Sequence, residues 1–103
     1  MSKGEQMQLQ EILTALADPT RRGALHIVWG GGEHCVCELM ARLDASQSRM
    51  SRHMKFLRQA GLVVDRRDRQ WVRYRRNPEL DRALAAVVDA VLAAERSRER
   101  TVA

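Results

Sequence analysis

The sequence predicts a mainly α-helical fold with a small β-hairpin, in a single domain over residues 1–103. Three observations carry this. Apolar residues recur at helical spacing through most of the chain, one stretch after residue 60 alternates with period two, and basic charge is concentrated in the middle. With 103 residues and 45% hydrophobic content there is apolar material for one modest core and not for two.

From Glu5 to Ala17 the apolar positions Leu9, Ile12, Leu13 and Leu16 mark a first amphipathic helix. "DPT" stops it, and Asp18 as N-cap with Pro19 in the first turn opens a second helix through Leu25, Ile27, Val28 and Trp29. Gly30, Gly31 and Gly32 end that helix. A short third helix carries Leu39, Met40 and Leu43. After the turn "LDAS", Ser46 caps a fourth, with Met50, Met54 and Leu57 inward and "AG" at Ala60 and Gly61 as its stop.

The period then changes. Leu62, Val63 and Val64 form a short apolar run, "DRRDRQ" reads as a charged turn, and "WVRYRR" sets Val72 and Tyr74 on one face against Trp71, Arg73 and Arg75 on the other, which is a hairpin. Asn77 and Pro78 supply a cap and first turn for a fifth helix with an apolar stripe of Leu80, Leu84, Val87, Val88, Val91 and Leu92. A short helix, a tight turn, a second polar helix and a basic two-stranded ribbon make a winged helix-turn-helix arrangement of five helices and a two-stranded wing. The fourth helix is the one expected in a DNA major groove, which admits a helix and displays a full donor and acceptor code.

Charge supports that placement. Lys and Arg number 18 against 13 acids, yet the segment Arg42–Arg76 alone carries an excess of eight positive charges, so the flanks are net acidic. Such a basic middle calls for a polyanion, and double-stranded DNA is the first candidate. Gln47, Ser48, Arg49, Ser51, Arg52 and His53 are the residues of the fourth helix expected to face or flank the groove: Gln suits adenine edges, Arg suits guanine or phosphate, and Ser suits phosphate oxygens. His53 has a structural alternative, packed against the wing. Arg66, Arg67 and Arg69 surround the wing turn, within reach of phosphates or a minor groove. Arg73 and Arg75 share the face of Trp71 and are expected to stack on it or cover it.

The apolar stripe of the last helix is wider than so small a fold needs, and the first helix adds apolar surface. Leu9, Leu13, Leu84, Val87, Val88 and Val91 are therefore expected to form a homodimer interface. A twofold dimer would set two recognition helices one DNA turn apart, roughly 34–36 Å, and favour an inverted-repeat operator. Met1 to Leu9 is polar, and no apolar run approaches the roughly 18 residues of a membrane span, so a cytoplasmic protein without membrane contact is expected.

"LADPTRR" opening the second helix, "CVCEL" opening the third, "SQSRMSRHMKFLRQAGLV" as recognition segment and "WVRYR" as second wing strand together resemble the ArsR/SmtB family of metal- and metalloid-responsive repressors. The resemblance spans about residues 5–95, and "CVCEL" points to the arsenic-sensing branch. It implies a homodimer that represses a resistance operon, needs no resident cofactor, and releases operator DNA when its inducer binds. The inducer implied is trivalent arsenic or antimony, with Cys35 and Cys37 as ligands. Arsenic sensors of this type often carry a third cysteine three residues after the second, and here Met40 stands there. Zinc sensors use His and Asp on the last helix, which here has Asp81, Asp89 and Glu95 but no histidine.

Trivalent arsenic and antimony are soft, and thiolates suit soft centres. On a regular helix, residues two apart point about 200° from each other. The two sulfurs therefore meet at one atom only if the helix start unwinds or has not formed, and unwinding would re-aim the recognition helix. Candidates for a third donor are His34, a solvent hydroxide or thiol, or a group of the other subunit, whereas a methylated trivalent arsenical needs only two thiols. Two other readings remain open: small buried cysteines in an architectural DNA-binding protein, or a redox pair. An enzyme is not expected. "GGGEH" lacks the Lys and Ser/Thr of a phosphate loop, and a hydrolase built from Cys35 with His26 or His53 has no orienting group.

Overall fold

The computed structural model describes residues 3–102, with side chains through residue 99. The order is α1 (Lys3–Leu16), α2 (Pro19–Trp29), β1 (His34–Cys35), α3 (Val36–Leu43), α4 (Gln47–Gln59), β2 (Val63–Asp68), β3 (Trp71–Arg76) and α5 (Arg82–Val102). This is the winged helix-turn-helix arrangement, five helices with a wing, but the wing sheet has three strands in the order β1-β3-β2. β2 and β3 pair antiparallel from Val63↔Arg76 to Asp68↔Trp71, and β1 adds His34↔Tyr74 and Cys35↔Arg73 along the other edge of β3.

Caps delimit the helices. The Asp18 carboxylate accepts from the amide of Arg21 at 2.9 Å, with Pro19 beginning α2, and the Ser46 hydroxyl accepts from the amide of Arg49 at 3.3 Å. Arg21 and Arg22 then reach back to the end of α1, donating to the carbonyls of Thr14 and Ala15 and to that of Leu16. The last carbonyls of α1 are thus satisfied by the opening of α2, which sets the angle between the two helices. Gly23, in the middle of α2, is a close-approach position: a Cβ there would lie 2.7 Å from Cδ2 of Leu43, so the end of the Leu43 side chain would have to move aside.

The core is one cluster. Ile12, Leu16, Leu25, Val28, Leu39, Met50, Met54, Leu57, Tyr74, Val88 and Leu92 are all buried in it, so every helix and the central strand contribute.

Three expectations are corrected. Asn77 does cap a turn, accepting from the amide of Glu79, but α5 restarts after it, where Asp81 accepts from the amide of Ala83 at 2.8 Å; Leu80 lies outside the helix. The stretch "DRRDRQ" is strand as far as Asp68, leaving only Arg69 and Gln70 as the turn, with Arg69 at φ 59° in the region that a two-residue hairpin turn demands. Finally, Arg73 pairs with Asp68 at 2.8 Å, and the guanidinium that stacks on a tryptophan is that of Arg76, 4.4 Å from the Trp29 ring.

Candidate functional site

The fourth helix begins at Gln47, and its outer surface is polar. Gln47, Ser48, Arg49, Ser51 and Arg52 are exposed, while Met50, Met54 and Leu57 on the opposite side are fully buried. The exposed group sits at the helix N-terminus, where the macrodipole and the free amides favour an anion. His53 does not join it. Its Nδ1 accepts from an Arg21 Nη at 3.4 Å and lies 3.9 Å from the Asp18 carboxylate, so the ring faces the start of α2. Burial holds its pKa below the ordinary value, and the charges of Arg21, Arg49 and Arg52 act in the same direction against the attraction of Asp18. The geometry favours a structural role for His53, but the expected partner is corrected: the ring packs against Arg21 and Asp18 at the start of α2 and not against the wing. Phe56, one turn further, carries the Arg21 guanidinium 4.4 Å above its ring, so the same arginine clamps the recognition helix to α1 and α2.

Arg66, Arg67 and Arg69 are exposed along β2 and its turn. Arg66 is engaged: its Nε and an Nη donate to the two oxygens of Glu33 at 2.9 and 2.7 Å, a side-on pair. Sequence reasoning misses Glu33; its one visible signal is a lone acid in a loop that faces a basic ribbon.

The two cysteines are adjacent in space. Cys35 is the N-cap of α3 with extended backbone, φ -66° and ψ 145°, and the sulfurs of Cys35 and Cys37 are joined as a disulfide with 5.1 Å between their Cα atoms. Of the two expected routes to convergence the second applies and unwinding is not needed: the helix has not formed at Cys35, so the 200° separation does not hold and both sulfurs converge beside an intact α3. The Cys35 sulfur also accepts from the amide of Cys37 at 3.2 Å. Cys35 is buried and Cys37 exposed. Gly31 and Gly32, with φ 100° and 77°, make the loop leading in.

His34, a candidate third donor, is turned away from this duty. Its Nδ1 faces both Glu38 oxygens at 3.1 Å and its Nε2 faces the Gly31 carbonyl at 2.9 Å. The Glu38 carboxyl is held below its ordinary range by the His34 hydrogen bond and, further, by Arg42. Met40 is half-buried one turn beyond Cys37. Among the described residues no group of three or more His, Cys, Asp or Glu side chains is gathered to hold a metal ion.

The expected interface residues divide. Val88 is fully buried in the chain's own core, together with Ala85 and Leu92, and so is withdrawn from the expected interface. Leu84, Val87, Val91 and Leu9 are half-buried at its margin, Leu13 is 47% exposed, and Met7, unforeseen, is 60% exposed. A cavity of about 420 Å³ lies between α1 and the start of α5, lined in part by Leu9 and Leu84. No helix among the described residues is long and apolar enough to cross a membrane.

A family model described as "Bacterial regulatory protein, arsR family" matches residues 18–64, from the α2 cap to the start of β2. The arsenical resistance operon repressor of Escherichia coli (strain K12) is 36% identical over 92 residues, covering 89% of this chain and 79% of that one. An arsenic resistance transcriptional regulator of Pseudomonas putida (strain KT2440) is 46% identical over 92 residues, covering 80% and 72%. Among solved structures, HlyU from Vibrio cholerae N16961 superposes with a TM-score of 0.72 at 31% identity, covering 88% of this chain and 94% of that one.

Proposed function

Because the chain belongs to the arsR family of bacterial regulatory proteins, and is thus a DNA-binding regulator and not an enzyme, we propose that it is a transcriptional repressor that binds operator DNA as a homodimer and leaves it when a trivalent arsenical or antimonial binds Cys35 and Cys37. The observation that carries this reading is the convergence of the two sulfurs at the N-cap of α3, the helix that leads into the recognition helix. The names of the relatives from Escherichia coli and Pseudomonas putida support the choice of a thiophilic metalloid.

The reduced pair offers two soft thiolates to one centre. With both nitrogens of His34 occupied, the remaining position falls to a solvent hydroxide, an external thiol or a methyl group already on arsenic, so a methylated trivalent arsenical fits the pair as well as arsenite does. The coupling runs through the cap. Arsenic held between the two sulfurs sets them further apart than a direct bond does and so moves the Cys35 sulfur that caps the first turn of α3, while Cys35 is hydrogen-bonded through β1 to the wing strand β3. A coupling of about 3 kcal/mol would weaken operator binding somewhat over a hundredfold.

The test is a binding titration on DNA upstream of the chain's own gene, with and without arsenite, antimonite, zinc, cadmium and peroxide, on the reduced protein. Release by arsenite or antimonite that is lost in Cys35→Ser and Cys37→Ser supports the reading; full response in the double serine variant sinks it. The disulfide favours one second reading, in which oxidation of the pair by a peroxide is the signal. Release by peroxide without any response to metalloids would establish that alternative.

A further inference from the structure

Arg66 occupies a wing position suited to a DNA phosphate, yet its guanidinium is already held side-on by a carboxylate of the chain itself. Both Glu33 oxygens are used, at 2.7 and 2.9 Å. Glu33 is also in the field of Arg73 and Arg75, so one acid faces three arginines of the ribbon. Its hydrogen bond from Arg66, foremost, and the charges of Arg66, Arg73 and Arg75 hold the carboxyl below its ordinary range, so it is ionised at neutral pH. A carboxylate and a phosphate ask for the same two N–H groups in the same plane. The guanidinium cannot serve both side-on at once.

We propose that Glu33 is an internal surrogate for a DNA phosphate: it occupies Arg66 in the free protein, and DNA must displace it to gain that contact. The pair is exposed, with 55% of the Arg66 side chain and 32% of the Glu33 side chain accessible, so a duplex can reach it. Glu33 stands two residues before Cys35, directly ahead of β1. Occupancy of the wing by DNA is therefore linked to the segment that carries the thiols, and such linkage acts in both directions.

The proposal rests on the wing touching DNA and needs no inducer, so it is tested on the reduced full chain with a mixed-sequence duplex across a range of salt concentrations. Glu33→Gln should tighten binding a few-fold and steepen the dependence of log K on log salt by about 0.9 for each wing engaged. In an Arg66→Gln background the same change should do nothing. A gain of equal size in that background would show a general field effect and overturn the proposal. So would an unchanged or weaker affinity of Glu33→Gln while Arg67→Gln, which removes an arginine with no ion-pair partner among the described residues, weakens binding. If Arg67→Gln and Glu33→Gln are both without effect, wing contact and surrogate fall together. Glu33→Ser serves as a second variant, and a circular dichroism melt of each shows that the fold is kept.

Discussion

The backbone amide of Cys37 donates to the sulfur of Cys35 at 3.2 Å, so one of the two thiols doubles as the N-cap of α3. Sulfur is a weak acceptor, and a serine hydroxyl is a favoured cap at the same position. Cys35→Ser should therefore leave stability unchanged or raise it by a few tenths of a kcal/mol, whereas Cys35→Ala should cost about 1 kcal/mol. Urea melts of the reduced variants check this. The result bears on induction, because loss of response in Cys35→Ser then reflects lost ligation and not a lost helix.

DNA affinity should fall steeply with salt, roughly a thousandfold or more between 50 and 200 mM if about six phosphates are neutralised per dimer. Arg49 and Arg67 should separate by character. Arg49→Ala, at the exposed N-terminus of α4, is expected to cost about 1–3 kcal/mol and to relax base preference, while Arg67→Ala weakens all sequences alike and lowers the salt slope by about one per wing. Competition binding with scrambled operator at several salt concentrations distinguishes the two.

The dimer surface is best tested away from the core. Leu13 is 47% exposed, so Leu13→Glu changes little in the single chain, yet in a homodimer seam it would bury an unpaired charge and should give folded monomers. Val88→Glu makes the opposite case, since Val88 is fully buried and a charge there should unfold the chain outright. Sedimentation combined with circular dichroism reads both; an unchanged Leu13→Glu dimer would exclude α1 from the interface.

The contrast between Val87 and Val88 shows where the sequence stops speaking. Both lie on the apolar stripe of α5, and its width announced two duties for that helix, but neighbours about 100° apart are sorted between core and margin only by what packs against them. Caps such as Asp18 and Ser46 were legible because they satisfy nearby amides with local residues. Strand β1 was not: two residues have no period, and His34 and Cys35 are a strand only because Tyr74 and Arg73 lie beside them. The choice of Asp81 over Asn77 as the start of α5 was hidden for a different reason, since both are good caps and the second wins only once the chain has turned at Pro78 and Glu79. At the thiol pair, residue type pointed to the ligand chemistry, while the convergence of the sulfurs depended on an extended Cys35, which is set by the same pairing to β3.

Stability should fall in mild acid through His53. Its Nδ1 accepts a hydrogen bond from Arg21, which it can do only when unprotonated, and it is packed beside Arg21, Arg49 and Arg52, whose charges oppose the attraction of Asp18. Burial is the largest cause of its lowered pKa in the folded chain. The unfolded chain takes up this proton near the ordinary value of about 6.5, so between that pH and the lower folded value it binds more protons than the folded chain does, and stability rises with pH across the window. The contribution is complete above about 6.5 and is lost as the pH falls towards the folded value. Urea titrations of wild type and His53→Gln at a series of pH values measure it as the difference between the two curves, because the glutamine side chain does not titrate. That difference should narrow as the pH is lowered from about 7; curves that stay parallel throughout would mean that His53 is not held neutral against α2.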